Sequence, residues 1–270
     1  MRYAFMSFSC PELTLDQMIE LAGRLGYDAL EPRLQAEHRH GITLESGAEA
    51  RRTARDTAAD AGVPFCCLAV SCRFADPKTS PVQVDQTMRC IDLAADIGAA
   101  RLRVFGGPIG DGIGREQAVD LLVASLSKVA DHAQQHGVTV CVETHDDWCD
   151  PSHLAAVMRT LSHPAIAVNW DIMHPVITAG WTMRDAYETL RPWIRHVHFH
   201  DGRPVTKADR PEFELVPIGQ GAIDHLEALR CLKQMNYDGY LSGEWIGWEP
   251  CETHLPRELA NIKQLEAQLG

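Results

Sequence analysis

Residues Ile194 to Arg203 read IRHVHFHDGR, and this stretch decides the fold. In a strand, side chains alternate between faces, so His196, His198 and His200 share one face while Val197 and Phe199 take the other. Three imidazoles in phase mark a strand whose polar face looks onto chemistry rather than onto apolar core. Working outward, three more strand ends carry groups of the same kind. They are Val142-Glu143-Thr144-His145, Asn169-Trp170-Asp171-Ile172-Met173-His174 and Gly243-Glu244-Trp245. Alternation again puts Glu143 and His145 on one face.

Along the whole chain, a short apolar run is followed repeatedly by a helical pattern, the mark of βα units and a parallel sheet. Strands are predicted at 2–8, 29–34, 65–70, 100–106, 138–145, 166–173, 194–200 and 239–245. Helices are predicted at 14–25, 44–61, 81–97, 115–136, 153–161, 182–190, 222–235 and 255–268. Eight of each fit a closed (β/α)8 barrel better than an open doubly wound sheet, and the length of 270 residues suits one such barrel, about 250 residues being typical. Thr14 and Asp16 can cap the first helix, and Gly26, Gly62 and Gly137 can stop helices. Pro81 and Pro151 stand near helix starts, where a missing N–H costs little. No linker or low-complexity tract interrupts residues 1–270, which read as one barrel domain.

Composition narrows the class. The net charge of −12 repels a phosphate backbone, which argues against nucleic acid as a partner. Nine cysteines without a C-x-x-C pair read as reduced core thiols in a cytoplasmic protein. Met1–Cys10 lacks the pattern of a signal peptide, and no apolar run approaches the roughly 18 residues of a membrane span.

In a barrel, functional groups gather at the C-terminal strand ends. Any one acid there could be a satisfied ion pair, and any one histidine a core residue. Glu143, Asp171 and Glu244 together are different: three buried carboxylates need partners or a metal, and few Lys or Arg occupy matching positions. With His198 they make an O,O,O,N ligand set suited to Mn²⁺ or Mg²⁺, with Co²⁺ and Zn²⁺ as alternatives. Arg33, Arg73 and Arg103 could reach a phosphate or carboxylate, but pairing with acids such as Glu31 is favoured. Gly106-Gly107 and Gly219-x-Gly221 are too short for a dinucleotide signature.

Read in order, GYDALEPR (26–33), VETH (142–145), NWDIMH (169–174), HVHFHD (196–201), PIGQGAID (217–224) and GYLSGEW (239–245) resemble the xylose-isomerase-like TIM-barrel superfamily of sugar isomerases and epimerases. The superfamily includes D-tagatose and D-psicose 3-epimerases, inosose dehydratases and 2-keto-inositol isomerases. The resemblance implies that Glu143, Asp171, His198 and Glu244 hold a divalent metal, most often Mn²⁺. It implies that Glu143 and Glu244 also form the acid/base pair, one on each face of the sugar. By the same resemblance His174 contacts a substrate carbonyl or hydroxyl, and Arg203 lies near a substrate-binding position. His200 departs from the family, standing where many relatives have Lys, and His145, His38 and His40 add imidazoles. Trp245 and Trp248 could stack on a sugar ring.

The expected activity is therefore that of a metal-dependent keto-sugar isomerase or epimerase, abstracting a proton next to a carbonyl through a metal-stabilised enediolate. The alternative is a lyase. It would expel the aglycone of a 3-keto-glycoside, as the metal-bearing subunit of C-glycoside deglycosidases does, or dehydrate a keto-inositol, with His145 as the base. The expected partner is a small sugar or glycoside, with a homo-oligomer or a second subunit as further options. A nuclease branch of the superfamily resembles a three-zinc site with extra histidines, but this chain has Ser71 and Phe105 at those strand ends.

Overall fold

The first strand, β1 (Arg2–Met6), pairs in parallel with β2 (Ala29–Glu31) on one side and β10 (Tyr240–Gly243) on the other, so both ends of the chain meet in one sheet. A computed structural model describes residues 1–207 and 210–270. From β10 the sheet continues through β7 (Ile194–His198), β6 (Ile166–Asp171), β5 (Thr139–Glu143), β4 (Arg101–Phe105) and β3 (Leu68–Arg73). Two parallel bridges between the end strands, Leu30 with Phe65 and Arg33 with Ala69, bring the ring round. That seam is thin for a local reason. Pro32 and Pro64 have no N–H to give, so only their carbonyls take part, accepting from Ala69 at 2.9 Å and Leu30 at 3.0 Å. The result is a nearly closed (β/α)8 TIM barrel.

The helices between strands are α1 (Leu15–Leu25), α2 (Ala48–Asp60), α3 (Ser80–Asp96), α4 (Arg115–Gln135), α5 (Pro151–Leu161), the short α6 (His174–Ile177), α7 (Met183–Leu190), α8 (His225–Gln234) and α9 (Cys251–Ala267). Thr14, rather than Asp16, caps α1. Its hydroxyl accepts from the Gln17 N–H while Gln17 Oε1 accepts from the Thr14 N–H, a capping box. Asp150 and Asp224 cap α5 and α8 more simply, their carboxylates accepting from the Ser152 and Glu227 N–H groups.

Predicted boundaries shift by a few residues at most elements, as at the third strand. The third strand begins at Leu68 rather than at 65, where Phe65 makes only an isolated bridge. After β7 the chain does not pass through a plain loop: β8 (Asp201–Lys207) and β9 (Arg210–Val216) form an antiparallel hairpin over the C-terminal mouth. Asp201 anchors its base, accepting from Gly202, Gly219, Gly221 and Ile223 N–H groups. Nothing among the described residues is a helix long and apolar enough to cross a membrane.

The strands divide the protein into two media. Outward residues such as Phe5, Leu30, Val104, Val142, Trp170 and Val197 join the helices in one large apolar core. Burying that shell is the main driving force, at about 25 cal/mol per Å² of apolar surface. Inside, small residues fill the N-terminal end, where Ala4, Ala29, Cys66 and Cys67 pack together. Above them the interior turns polar, with Glu31, Arg103, Glu143, Asn169, Asp171, His196 and His198 all buried.

Candidate active site

Four neighbouring strands deliver Glu143 (end of β5), Asp171 (end of β6), His198 (end of β7) and Glu244 (just after β10) to one spot. One ligand atom from each lies within 4.8 Å of the others, and all four residues are buried. Register explains the convergence: Asp171 is level with His198, and His198 with Ser242, one residue short of the sheet position occupied by Gly243. His198 Nδ1 is 3.1 Å from Glu143 Oε1 and 3.3 Å from Glu244 Oε2.

The acids are not without a cation of their own, contrary to the expectation that few Lys or Arg could reach them. Arg103 on β4 enters the interior by alternation, its Nε 3.1 Å from Glu143 Oε2 and its guanidinium 3.8 Å from Glu244 Oε1. Its guanidinium also covers the Phe105 ring at 4.1 Å and donates to the Val70 carbonyl at 3.0 Å. One guanidinium cannot balance three carboxylates, and Glu143 Oε2 is buried without a well-aligned hydrogen bond. Three carboxylate oxygens and one imidazole nitrogen, close enough to share an ion, fit a hard divalent cation. Burial alone would raise Glu244; the adjacent His198 and then Arg103 outweigh it and hold the carboxyl at about 2. Burial would likewise lower His198, yet Glu31, Glu143 and Glu244 lift it well above the usual imidazole range.

Beneath this group lies a second one that the sequence reading did not assemble. Glu31, at the end of β2, accepts from His196 Nε2 at 2.7 Å and from His198 Nε2 at 3.2 Å. Burial opposes its charge, but the two imidazoles hold it well below the ordinary carboxylate range. Glu31 thus takes the Nε2 side of His198 and leaves Nδ1 facing the three acids. Arg33, two residues on, has no carboxylate partner among the described residues; its guanidinium meets the Leu34 carbonyl, Gln35 and Ser71.

Above the acids is a cavity of about 290 Å³ lined by Glu244, His145, His174, His200, Phe213 and Trp248, among others. His200 Nδ1 donates to the Glu244 carbonyl at 2.8 Å, and its Nε2 donates to Asp171 Oδ2 at 2.8 Å. Both nitrogens donate only when the ring is protonated. Although burial lowers His200, Asp171 beside it raises it overall. Asp171 Oδ1 accepts from the Met173 and His174 N–H groups, which fixes the turn that aims His174 into the cavity. His145 follows β5 rather than extending it, and its Nδ1 pairs with Asp146 Oδ1 at 3.0 Å. Burial would lower His145; Asp146, Glu143 and Glu244 together push it up to about 9. Its ring stands edge-on to His174 at 4.5 Å.

Two expected substrate groups are elsewhere. Arg203 is on the outside of the hairpin, exposed and paired with Glu214. Trp245 is 1% exposed, its indole folded against Gly243, where a Cβ would collide with the ring, and against His254. Trp248, three residues later, lines the cavity instead. His40 is also removed from the centre: its Nδ1 accepts from the Ile42 N–H at 3.1 Å and its Nε2 donates to the Arg33 carbonyl at 3.2 Å.

Comparison with known proteins adds family and fold. The model of the family described as "Xylose isomerase-like TIM barrel" matches residues 19–265. A 3-dehydroshikimate dehydratase of Bacillus anthracis is 27% identical over 161 residues, 54% of this chain and 56% of that protein, so the match spans little more than half of it. A putative L-ribulose-5-phosphate 3-epimerase, SgbU of Haemophilus influenzae, is 21% identical over 84% of this chain and 82% of its own. The crystal structure of a D-psicose 3-epimerase in the presence of D-fructose superposes with a TM-score of 0.77 at 18% identity, covering 98% of this chain and 99% of that one.

Proposed function

Because the chain belongs to the xylose isomerase-like TIM barrel family, whose matched relatives include sugar epimerases and a dehydratase, we propose that it is a divalent-metal-dependent isomerase or epimerase of a neutral keto-sugar. The observation that carries this reading is the pairing of Glu143 and Glu244 on one imidazole and one guanidinium at the floor of a sugar-sized cavity.

Glu143, Asp171, His198 and Glu244 would hold a divalent ion, Mn²⁺ being our choice for this ligand set, and that ion would supply Lewis acidity beside the substrate carbonyl. Glu244 lines the cavity and is ionised at neutral pH, so its carboxylate takes the proton from the carbon beside that carbonyl. Glu143 approaches from β5, across the site; entering the cycle protonated, it gives that proton to the other face and leaves Glu244 protonated, or Glu244 returns the abstracted proton to the next carbon. The first outcome is epimerisation, the second aldose–ketose isomerisation. Arg103 stays between the two and keeps each ready to hold charge. His174 offers its ring N–H to substrate oxygens and His200, with both nitrogens engaged, holds Asp171 and the Glu244 carbonyl in place, while Phe213, Leu215 and Ile246 exclude water. No Lys or Arg lines this cavity among the described residues, which favours a free sugar over a sugar phosphate.

A second reading, elimination from a 3-keto-glycoside or dehydration of a cyclic keto-polyol, rests on a separate observation. A further cavity of about 430 Å³ meets the first at His145, His174 and Phe213, room enough for an aglycone. His145, paired with Asp146 at the junction of the two cavities, is placed to give a proton to a departing group rather than to act as the base expected from sequence.

The test is product analysis by NMR in D₂O with the Mn²⁺-loaded protein, on free ketoses and 3-keto-glycosides. Deuterium at one carbon of an isomeric sugar is the expected result. Release of an aglycone with an unsaturated sugar would replace the first reading with the second, and His145→Ala should then depress elimination far more than any epimerisation.

A further inference from the structure

At the opposite end of the barrel from the acids, α3 and α4 bring a different set of ligand-type side chains together. His132 and His136 stand four residues apart at the C-terminal end of α4, so they share one face, one turn apart. Their ring centroids are 4.3 Å from each other. Both Nε2 atoms are aimed at the same oxygen of the neighbouring helix, Asp92 Oδ1, at 2.7 Å from His132 and 3.6 Å from His136. The first is a hydrogen bond; the second is too long to be one. Among the described residues no Lys or Arg pairs with Asp92.

We propose that Asp92, His132 and His136 form a second divalent-metal site, selective for an imidazole-seeking ion such as Zn²⁺ or Ni²⁺, that ties the end of α4 to α3. One ligand atom from each residue lies within 4.8 Å of the others, so a small movement of the two imidazoles closes them on a shared ion. The backbone preorganises the pair, because the His136 N–H donates to the His132 carbonyl at 3.1 Å and holds the last turn. All three side chains are partly exposed, which leaves the remaining coordination positions to water.

The donor set is what separates this site from the barrel centre. Imidazole nitrogens suit Ni²⁺, Cu²⁺ and Zn²⁺, whereas a set of three carboxylate oxygens and one nitrogen suits Mn²⁺ or Mg²⁺. Its place also separates it. α4 ends at Gln135 and β5 starts at Thr139, so the ion would pin the N-terminal root of the strand whose far end carries Glu143. In barrels that face governs stability rather than chemistry. The site requires nothing of the proposed sugar chemistry.

The experiment is equilibrium dialysis of the full chain against Zn²⁺ with Mn²⁺ kept in large excess, bound zinc being counted by atomic spectroscopy. The wild type should hold one more Zn²⁺ per chain than the His132→Gln/His136→Gln double variant. Zn²⁺ should also raise the Tm of the wild type but not of that variant. Asp92→Asn keeps both imidazoles and should weaken zinc at least tenfold. Equal zinc in all three proteins overturns the proposal. Should the double variant misfold, substoichiometric Ni²⁺ added to the wild type decides by NMR. Broadening that begins at the His132 and His136 ring protons supports the site, and broadening confined to the barrel histidines refutes it.

Discussion

Two polar groups lie one above the other inside the barrel, and they share His198. The upper one gathers Glu143, Asp171 and Glu244 around His198 Nδ1, with Arg103 as the one guanidinium paired to them among the described residues. The lower one sets Glu31 between His196 and His198 Nε2. Their ingredients are alike, but their charge and access differ. Below, one carboxylate faces two imidazoles and everything is sealed. Cys66 completes a ligand-like trio there with Glu31 and His196. Burial, and then the Glu31 charge, push its thiol well above the usual value, so it stays protonated and is a poor ligand. Above, the carboxylates outnumber the guanidinium, and Glu244 borders the cavity. Without an ion, protonated His198 and His200 make up the balance beside Arg103, and an ion at His198 Nδ1 would take over part of that role. On the function proposed above, the open group receives the ion and the closed group holds His198 still.

The largest expected effect falls on the upper group. Glu244→Gln removes the carboxylate that borders the cavity while keeping its shape. Turnover should fall by roughly 10²–10⁴, the usual worth of a positioned acid or base, with an unchanged far-UV circular dichroism spectrum. Turnover at the wild-type rate would end the assignment of Glu244 as base.

A smaller effect is expected below. Glu31→Gln keeps the volume but weakens the hold on His198 Nε2. Partners that orient a metal-binding histidine commonly change metal affinity by roughly 10–100-fold. Mn²⁺ affinity, followed by EPR of the free ion, should weaken within that range, while kcat at saturating Mn²⁺ changes less. Unaltered affinity would make the lower group plain core filling and erase the distinction drawn above.

The upper group was legible because strand alternation is local. Counting in twos from Val197 or Val142 is enough to put His198 and Glu143 inside. The lower group was not, because Glu31 and His196 are 165 residues apart and meet only through the register around the ring. Arg103 pairs with acids as its type suggested, but the partners are Glu143 and Glu244 rather than Glu31: it lies on β4, and nothing near it in sequence says that its guanidinium reaches an acid after β10. Trp245 was misplaced by neglecting the count. With Glu244 inward, the next residue turns outward into the apolar shell, where Gly243 leaves room for its ring. The hairpin was concealed by Pro204 and Pro211, which read as loop residues though both occur within its strands. Phe213 came into the site with that hairpin.

His40 offers the mildest test, as a buried histidine belonging to neither group. Backbone atoms satisfy both ring nitrogens, and Nδ1 acts as an acceptor, so the neutral ring alone fits. Burial, set against the bond to the Arg33 carbonyl, pushes its pKa down to about 4, below the 6.5 expected of an unfolded chain. Between those values the unfolded chain binds the proton and the folded one does not. The contribution is therefore present above about pH 6.5 and is lost as pH falls toward 4, on the order of 1–2 kcal/mol at pH 5. His40→Asn keeps an acceptor near Nδ1 and cannot be protonated. It should cost about 1 kcal/mol at pH 7 for the lost bond to Arg33, yet lose less further stability on acidification, as read from urea midpoints between pH 7 and 5. Parallel acid limbs for the two proteins would mean that His40 takes up its proton in the folded state. Sealing would then not be what keeps a histidine neutral in this fold, and the contrast between the open and closed groups would rest on charge count alone.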